Sequence, residues 1–160
     1  MLPSNDVEAL LFDISGAFDT VCWPLVLKSL RDRRCPRNVF EVMVSYFSDR
    51  RVVLELVSSS VSKRATRGSP QGSVLGPACW NLMFDDLLRS LEASIGNNFV
   101  AYADDLLVHV EGDSRSELEK KGQEIADQTS SWCSSTKLQI SARKTEAIVL
   151  KSGWIHRAPI

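Results

Sequence analysis

The sequence has few residues of the kinds that build disulfide-linked or zinc-stabilised proteins. Its 160 residues include four cysteines and two histidines. No two cysteines form a Cys-x-x-Cys pair, so a structural zinc site is not expected. The thiols are expected to be reduced and mostly buried. The residues concerned are Cys22, Cys35, Cys79, Cys133, His109 and His156.

Long apolar runs are also missing. No run approaches the roughly 18 apolar residues that span a bilayer, and the N-terminus lacks the basic and apolar regions of a signal peptide. We therefore expect an intracellular protein with no membrane contact. A hydrophobic content of 44% and a charged content of 24% predict one ordinary domain over residues 1–160 with a real core.

The chain has no overall excess of positive charge. Its net charge is −1, which argues against nucleic-acid binding because such domains are usually basic. The distribution is uneven, however: residues 28–67 hold ten Lys or Arg and four acids, so this segment is +6 and the remainder is −7. A basic segment in an otherwise acidic chain suits phosphate binding. A solvated helix face followed by a charged hairpin is the alternative.

Three acids stand at predicted strand ends. The segment Tyr102-Ala103-Asp104-Asp105 lies between apolar runs at 99–101 and 106–108, a pattern that predicts strand, turn and strand. Asp13 closes the apolar run 9–12. Carboxylates at the ends of neighbouring strands can hold two divalent ions roughly 3.5–4 Å apart, which clamp the oxygens of a phosphoryl transfer. The combination predicts nucleotidyl transfer, although an Asp pair is also common in plain turns.

The remaining pattern predicts an α+β fold. Pro24 suits the first turn of one helix and Pro36 opens the next, while Ser114 caps a long helix. Helices packed on one face of a mainly antiparallel sheet are expected from the order β-α-α-β-β-α-β-β-α-β. The predicted strands are 7–14, 51–57, 61–66, the hairpin 98–111 and 146–151; the predicted helices are 24–33, one from Pro36, 77–91 and 114–134.

Four segments resemble, in order, the catalytic motifs of the reverse transcriptases of non-LTR (LINE-type) retrotransposons. They are Asp13 to Asp19, Arg67 to Pro77, Tyr102 to Asp105 and Leu138 to Thr145. The resemblance covers about residues 7–151. It implies a polymerase palm with a ferredoxin/RRM-like core. It also implies that fingers, thumb and an endonuclease region belong to a larger polyprotein of which this chain is a fragment.

The resemblance assigns metal-binding roles. Asp13 and Asp104 would bind two Mg²⁺ ions, with Asp105 assisting and the backbone oxygen of Ile14 completing one coordination shell; Mn²⁺ is an alternative ion. Hard oxygen ligands suit Mg²⁺. One ion would lower the pKa of the primer 3′-hydroxyl and the other would hold the triphosphate. Lys144 would protonate or neutralise the pyrophosphate, or else be an ordinary solvated lysine.

The resemblance also assigns substrate-binding roles. Phe18 falls five residues after Asp13, where the family has a steric gate that excludes a ribose 2′-hydroxyl; a core aromatic is the alternative. Gln71 and Gly72 would line the incoming nucleotide, since an amide can donate and accept and a glycine lets the backbone approach closely. Tyr102 is a further substrate-binding candidate.

The function predicted from this resemblance is RNA-directed DNA polymerase activity. Deoxynucleoside triphosphates would be added to a DNA primer on an RNA template during retrotransposon replication, in the nucleus if the element is active. A catalytically inactive remnant that keeps the fold and binds nucleic acid is the main alternative. Phe18 argues against an RNA-copying RNA polymerase, and the loop at 70–72 argues against an unrelated two-metal phosphohydrolase. Asp19 belongs to the first motif, but capping a helix is an alternative to any role at the metal.

Overall fold

A computed structural model of the chain describes residues 6–70, 72–96 and 98–150. Within these residues the strands are Asp6–Ser15 (β1), Arg51–Leu56 (β2), Ser59–Arg64 (β3), Phe99–Tyr102 (β4), Asp105–Gly112 (β5), Gln139–Ile140 (β6) and Glu146–Leu150 (β7). The helices are Trp23–Asp32 (α1), Arg37–Phe47 (α2), Leu75–Ile95 (α3) and Arg115–Thr136 (α4). The α+β class with an antiparallel sheet is thus confirmed.

The described residues divide into two compact units. One comprises the residues up to Gly16 together with those from Leu87 onwards, and the other comprises Ala17–Asp86. The expectation of a single domain over residues 1–160 stays a prediction. No helix in the described ranges is long and apolar enough to cross a membrane.

The first unit is built around β1. This strand pairs antiparallel with β5 on one side and with β6 and β7 on the other, and β4 extends the sheet beyond β5. Side chains alternate between the two faces of a strand, and β1 buries every second residue, from Glu8 through Leu10 and Phe12 to Ile14. The matching row of β5 is buried as well, so one face of the sheet forms the core of this unit.

Helix α4 packs closely on the buried face of β1. A Cβ atom at Gly122 would lie 2.7 Å from Oε2 of Glu8, so a larger residue here would require the Glu8 carboxylate to shift. The helix begins as predicted, because the Ser114 hydroxyl accepts the N–H of Glu117 at 3.3 Å. It ends at Thr136, and the residue that caps it, Lys137, has a left-handed φ of 60°.

The second unit joins α1, α2 and the beginning of α3 to a loop around Gly68. The Trp23 ring stacks on Phe47 at 5.2 Å between centroids, and its N–H donates to the Gly68 carbonyl at 2.8 Å. The Ser29 hydroxyl donates to the Leu82 carbonyl at 2.8 Å. Strands β2 and β3 form a separate two-stranded hairpin in which all twelve residues are exposed.

Two elements differ from the prediction. Helix α3 begins before Pro77 because the Ser73 hydroxyl accepts the N–H of Gly76 at 2.9 Å and so satisfies an early donor. The helix also continues to Ile95. The two-residue strand β6 was not predicted, since so short a segment carries no periodicity.

The four cysteines are free, and two of them are buried. Burial raises the pKa of the Cys79 thiol, and it raises the pKa of Cys133 to about 11. Both thiols therefore stay protonated at neutral pH and are poor nucleophiles. Cys22 and Cys35 are half-buried, so the prediction of mostly buried thiols holds for half of the set.

Candidate active site

Two of the three predicted catalytic acids face each other across the sheet. Asp13 of β1 and Asp105 of β5 are directly opposite in the antiparallel register. Directly opposite residues have Cα atoms roughly 4.5–5.5 Å apart and point to the same face. Because the core lies behind the other face, both carboxylates project from the open face.

Asp104 lies beside this pair in the turn between β4 and β5. Its carbonyl accepts the N–H of Ile14 at 3.3 Å, which holds the turn against the end of β1. The preceding residue, Ala103, has a φ of 53°, in the left-handed region that costs a residue with a Cβ roughly 1–2 kcal/mol. The Ile14 side chain is fully buried, so any role it has in this site belongs to its backbone.

Lys144 reaches Asp13 through a turn that is fastened to the same strand. The Ser141 N–H donates to the Asp13 carbonyl at 2.8 Å, and the N–H groups of Lys144 and Thr145 both donate to the Ser141 carbonyl. This turn places the Lys144 Nζ 3.1 Å from Oδ2 of Asp13. The Asp13 side chain is 16% exposed and the Lys144 side chain 69% exposed.

The residues present fit a divalent metal by their chemistry. Three carboxylates provide hard oxygen ligands of the kind that Mg²⁺ prefers, and Asp13 already attracts a cation in the form of Lys144. The backbone gathers the acids, but among the described residues no three acidic, histidine or cysteine side chains are arranged as a ready metal cluster. The roles of Asp13, Asp104 and Asp105 as metal ligands stay predictions.

Two of the predicted substrate-binding residues line one cavity of the second unit. Phe18 and Gly72 border a space of about 380 Å³, together with Pro70, Ser73 and Pro77. Phe18 is half-buried, with its ring centroid 6.3 Å from that of Trp80, so part of the ring is available to the cavity. Gly72 has no atom within 4 Å of where a Cβ would be. Gln71 lies outside the described residues.

Tyr102 and Asp19 are both accessible. Tyr102 is 81% exposed and stands directly opposite Asp105, so it shares the open face with the acids. Asp19 is exposed as well. The suggested helix-capping role of Asp19 is wrong for α1, whose N-cap is Cys22 and lacks a side-chain hydrogen bond.

The sequence reasoning missed how the loop before the predicted nucleotide-binding residues is held. The Gly68 N–H donates to the Val21 carbonyl at 2.8 Å and the Ser69 N–H donates to the Phe18 carbonyl at 2.7 Å. A Cβ at Gly68 would lie 2.6 Å from the Asp19 carbonyl oxygen. The glycine in the motif was the one signal that the backbone passes this close.

Comparison with known proteins agrees with these observations. The sequence model of the family described as "Reverse transcriptase (RNA-dependent DNA polymerase)" matches residues 4–155. The chain therefore belongs to the reverse transcriptase family. Members of this family generally depend on a divalent metal ion.

The curated relatives identify a non-LTR retrotransposon lineage. A 115 kDa protein in type-1 retrotransposable element R1DM of Drosophila melanogaster is 40% identical over 147 residues, covering 92% of this chain. The retrovirus-related Pol polyprotein from type-1 retrotransposable element R1 of Bradysia coprophila is 37% identical over 145 residues, covering 91% of this chain. The chain spans 14% of the length of each of these proteins.

Solved structures share the fold. Telomerase from Candida tropicalis, in complex with a fragment of telomeric RNA, superposes with a TM-score of 0.70 at 13% identity, covering 91% of this chain and 26% of that chain. The apo form of this telomerase gives a TM-score of 0.71, covering 92% of this chain and 29% of the telomerase chain. This likeness concerns the fold alone.

Proposed function

We propose that the chain is the palm of an RNA-directed DNA polymerase that replicates a non-LTR retrotransposon. It would transfer nucleotides from deoxynucleoside triphosphates to the 3′-hydroxyl of a DNA primer on an RNA template. The family membership supports this activity. Fingers, thumb and endonuclease regions of the parent polyprotein would complete the enzyme, which would act in the nucleus where the element is copied.

The direct pairing of Asp13 with Asp105 carries the proposal. Asp13 and Asp104 would hold two Mg²⁺ ions, with Asp105 and the Ile14 backbone assisting. The ions, when bound, supply charge stabilisation to the attacking and leaving oxygens. The protein's part is to hold the acids at one end of the sheet, since positioning is most of what phosphoryl transfer requires.

The remaining substrate-binding roles would belong to residues around Gly72 and to Lys144. Phe18 would exclude ribonucleotides by filling the space of a 2′-hydroxyl, while Gly72 and Gln71 would lie along the nucleotide. Lys144 would neutralise the leaving pyrophosphate, because an ammonium is a strong point charge for phosphate. The finer fold assignment, with helices on one face of a ferredoxin-like sheet, is part of the same proposal.

Primer extension with the parent-length polypeptide tests the proposal. We expect extension of a DNA primer on an RNA template only with Mg²⁺ or Mn²⁺. Loss of a residue that only supports a metal ligand lowers activity roughly 10–100-fold. Asp13→Asn and Asp104→Asn should each lower the extension rate by more than this, because each removes a ligand itself. Asp127→Asn, on the exposed side of α4, is the matched control and should leave the rate unchanged.

The alternative, an inactive remnant, predicts a different result. A parent-length polypeptide that is folded and binds nucleic acid but extends no primer with either ion would favour it. Extension that continues at the wild-type rate in Asp13→Asn would instead show that this carboxylate is not a metal ligand.

A further inference from the structure

Three arginines converge on one cleft in the second unit. Arg50, Arg51 and Arg67 line a space of about 270 Å³ between the base of the β2–β3 hairpin and the loop at Gly68. One acid, Asp19, lines the same space. The cleft formed by these residues, here called the arginine cleft, therefore carries a net charge of +2.

One of these arginines has a guanidinium group positioned by stacking, and another follows a fastened stretch of backbone. The Arg50 guanidinium lies 4.4 Å from the centroid of the Tyr46 ring, a stacking contact that leaves its N–H edges free to donate. Arg67 belongs to the loop that Gly68 and Ser69 fasten by backbone hydrogen bonds. A guanidinium that is positioned in advance, as that of Arg50 is, loses less conformational entropy when a ligand binds.

The third arginine stands beside another positive charge. Arg51 is directly opposite Arg64 in the hairpin, and like charges in this position destabilise a strand pair. Arg64 forms an exposed ion pair with Asp49 at 3.5 Å, which offsets part of this repulsion. Among the described residues, neither Arg51 nor Arg67 has an ion-pair partner. A bound oxyanion would offset the part of the repulsion that remains.

We propose that the arginine cleft binds the phosphodiester backbone of a nucleic-acid strand. Guanidinium groups bind phosphate oxygens in a bidentate manner. The volume of the cleft lies below the roughly 300–1,000 Å³ of pockets that enclose a small ligand. A cleft of this size suits phosphates of a strand that passes over it better than it suits a whole enclosed nucleotide. The identity of the strand rests on the proposed polymerase function, but the binding does not involve the predicted metal ligands.

Binding of single-stranded RNA to the chain tests this proposal without catalysis. The probe is a labelled oligouridylate of about 12 nucleotides, followed by fluorescence anisotropy in EDTA over a range of salt concentrations. Each phosphate contact with a single strand contributes about 0.7 to the slope of log K against log salt. Arg51→Gln combined with Arg67→Gln should reduce the magnitude of that slope by about 1.4. Near 50 mM salt, the loss of each contact should weaken RNA binding roughly eightfold.

Matched variants separate the cleft from general charge. Arg37→Gln removes one charge from the exposed face of α2 and should change affinity less than twofold. Arg51→Lys combined with Arg67→Lys should keep most of the salt slope, because the charge remains. Asp19→Asn should tighten binding by removing the acid from the cleft.

Several outcomes would overturn the proposal. One is an absence of salt-dependent RNA binding by the wild-type chain. Another is an RNA affinity of the double Gln variant that equals that of Arg37→Gln. The third is complete displacement of the RNA by tripolyphosphate at equal phosphate concentration. The last result would make the cleft a triphosphate site. Failure of the polymerase proposal is read separately, in primer extension, and leaves RNA binding through the cleft intact.

Discussion

Lys144 and Asp13 form an ion pair between residues 131 positions apart in the sequence. The lysine Nζ lies 3.1 Å from the carboxylate oxygen that is predicted to bind metal. An ammonium and a metal ion compete for the same oxygen lone pairs. Lys144 is therefore expected to act on the metal site as well as on the pyrophosphate.

Replacing Lys144 should strengthen metal binding at Asp13. In Lys144→Met the carboxylate no longer has a competing cation, and exposed ion pairs are worth about 0.2–1 kcal/mol. We expect Mn²⁺ to bind this variant up to about fivefold more tightly, as measured by calorimetric titration of the chain. Lys120→Met, on the exposed side of α4, should match the wild type; weaker Mn²⁺ binding in Lys144→Met would contradict the competition.

Shortening Phe18 should relax sugar discrimination in the parent-length enzyme. The ring borders the cavity that Gly72 also lines, so Phe18→Val would open volume for a 2′-hydroxyl. A misplacement of about 1 Å can lower a rate roughly a hundredfold, and the efficiency with ribonucleotides should rise accordingly. The ratio of kcat/KM for matched ribo- and deoxyribonucleotides measures this. Phe40→Val, in α2, is the control; an unchanged ratio in active Phe18→Val would make Phe18 an ordinary packing residue.

The 160-residue chain by itself should extend a primer poorly. Positioning of the primer supplies much of the rate in phosphoryl transfer, and this chain spans 14% of the length of the R1 proteins from Drosophila melanogaster and Bradysia coprophila. Single-turnover extension by the chain should be far slower than extension by the parent-length polypeptide under the same conditions. Processive synthesis by the chain alone would show that its own residues are sufficient to hold the duplex.

The sequence predicted the elements around Asp13 well because their signals are local. The apolar run before Asp13 defines β1, and two apolar runs around Asp104 define a hairpin. The exact register that pairs Asp13 with Asp105 was not predicted, because strand direction alone does not set it. The contact of Lys144 with Asp13 had no such signal. It depends on the turn after β6, and β6 is too short to be detected from periodicity.

The β2–β3 hairpin shows a second limit. Its strands were predicted from β-branched residues and their bounds agree within two residues. Nothing in the pattern indicated that both faces would be exposed, or that Arg51 would stand opposite Arg64. Sequence composition revealed the basic segment, but the convergence of its arginines on one cleft depends on the fold around Gly68.

Neutralising Glu8 should remove a pH dependence of stability. Burial raises the pKa of the Glu8 carboxyl above its ordinary value of 4.5, and Glu119 raises it further. The folded chain therefore binds this proton more tightly than the unfolded chain does. The contribution of the Glu8 carboxyl to stability is fully present below pH 4.5 and is lost as the pH rises through the raised pKa. In Glu8→Gln we expect a free energy of unfolding that stays flatter from pH 4 to pH 7.

Urea unfolding at several pH values measures this effect. The difference between Glu8→Gln and the wild type should grow in favour of the variant as the pH rises, because the variant has no buried charge to desolvate. Glu124→Gln, at an exposed position of α4, should follow the wild-type curve. A constant difference across the range would show that the Glu8 carboxyl titrates alike in both states.

Alanine at Gly68 should be much more destabilising than alanine at Gly72. Both glycines have left-handed φ angles, 89° and 78°, so each substitution carries the roughly 1–2 kcal/mol strain of that region. A Cβ at Gly68 would also lie 2.6 Å from the backbone oxygen of Asp19, whereas one at Gly72 would meet nothing within 4 Å. Relief of that overlap requires the loop to move and to lose the hydrogen bonds to Val21 and Phe18.

We expect the free energy of unfolding to fall by about 3–4 kcal/mol in Gly68→Ala and by about 1–2 kcal/mol in Gly72→Ala, measured by urea denaturation. Because the same loop carries Arg67, Gly68→Ala should also weaken RNA binding under conditions where the variant remains folded. Gly72→Ala should leave RNA binding close to the wild-type value. Equal losses of stability in the two variants would mean that the loop accommodates a Cβ beside Asp19 without displacing its hydrogen bonds.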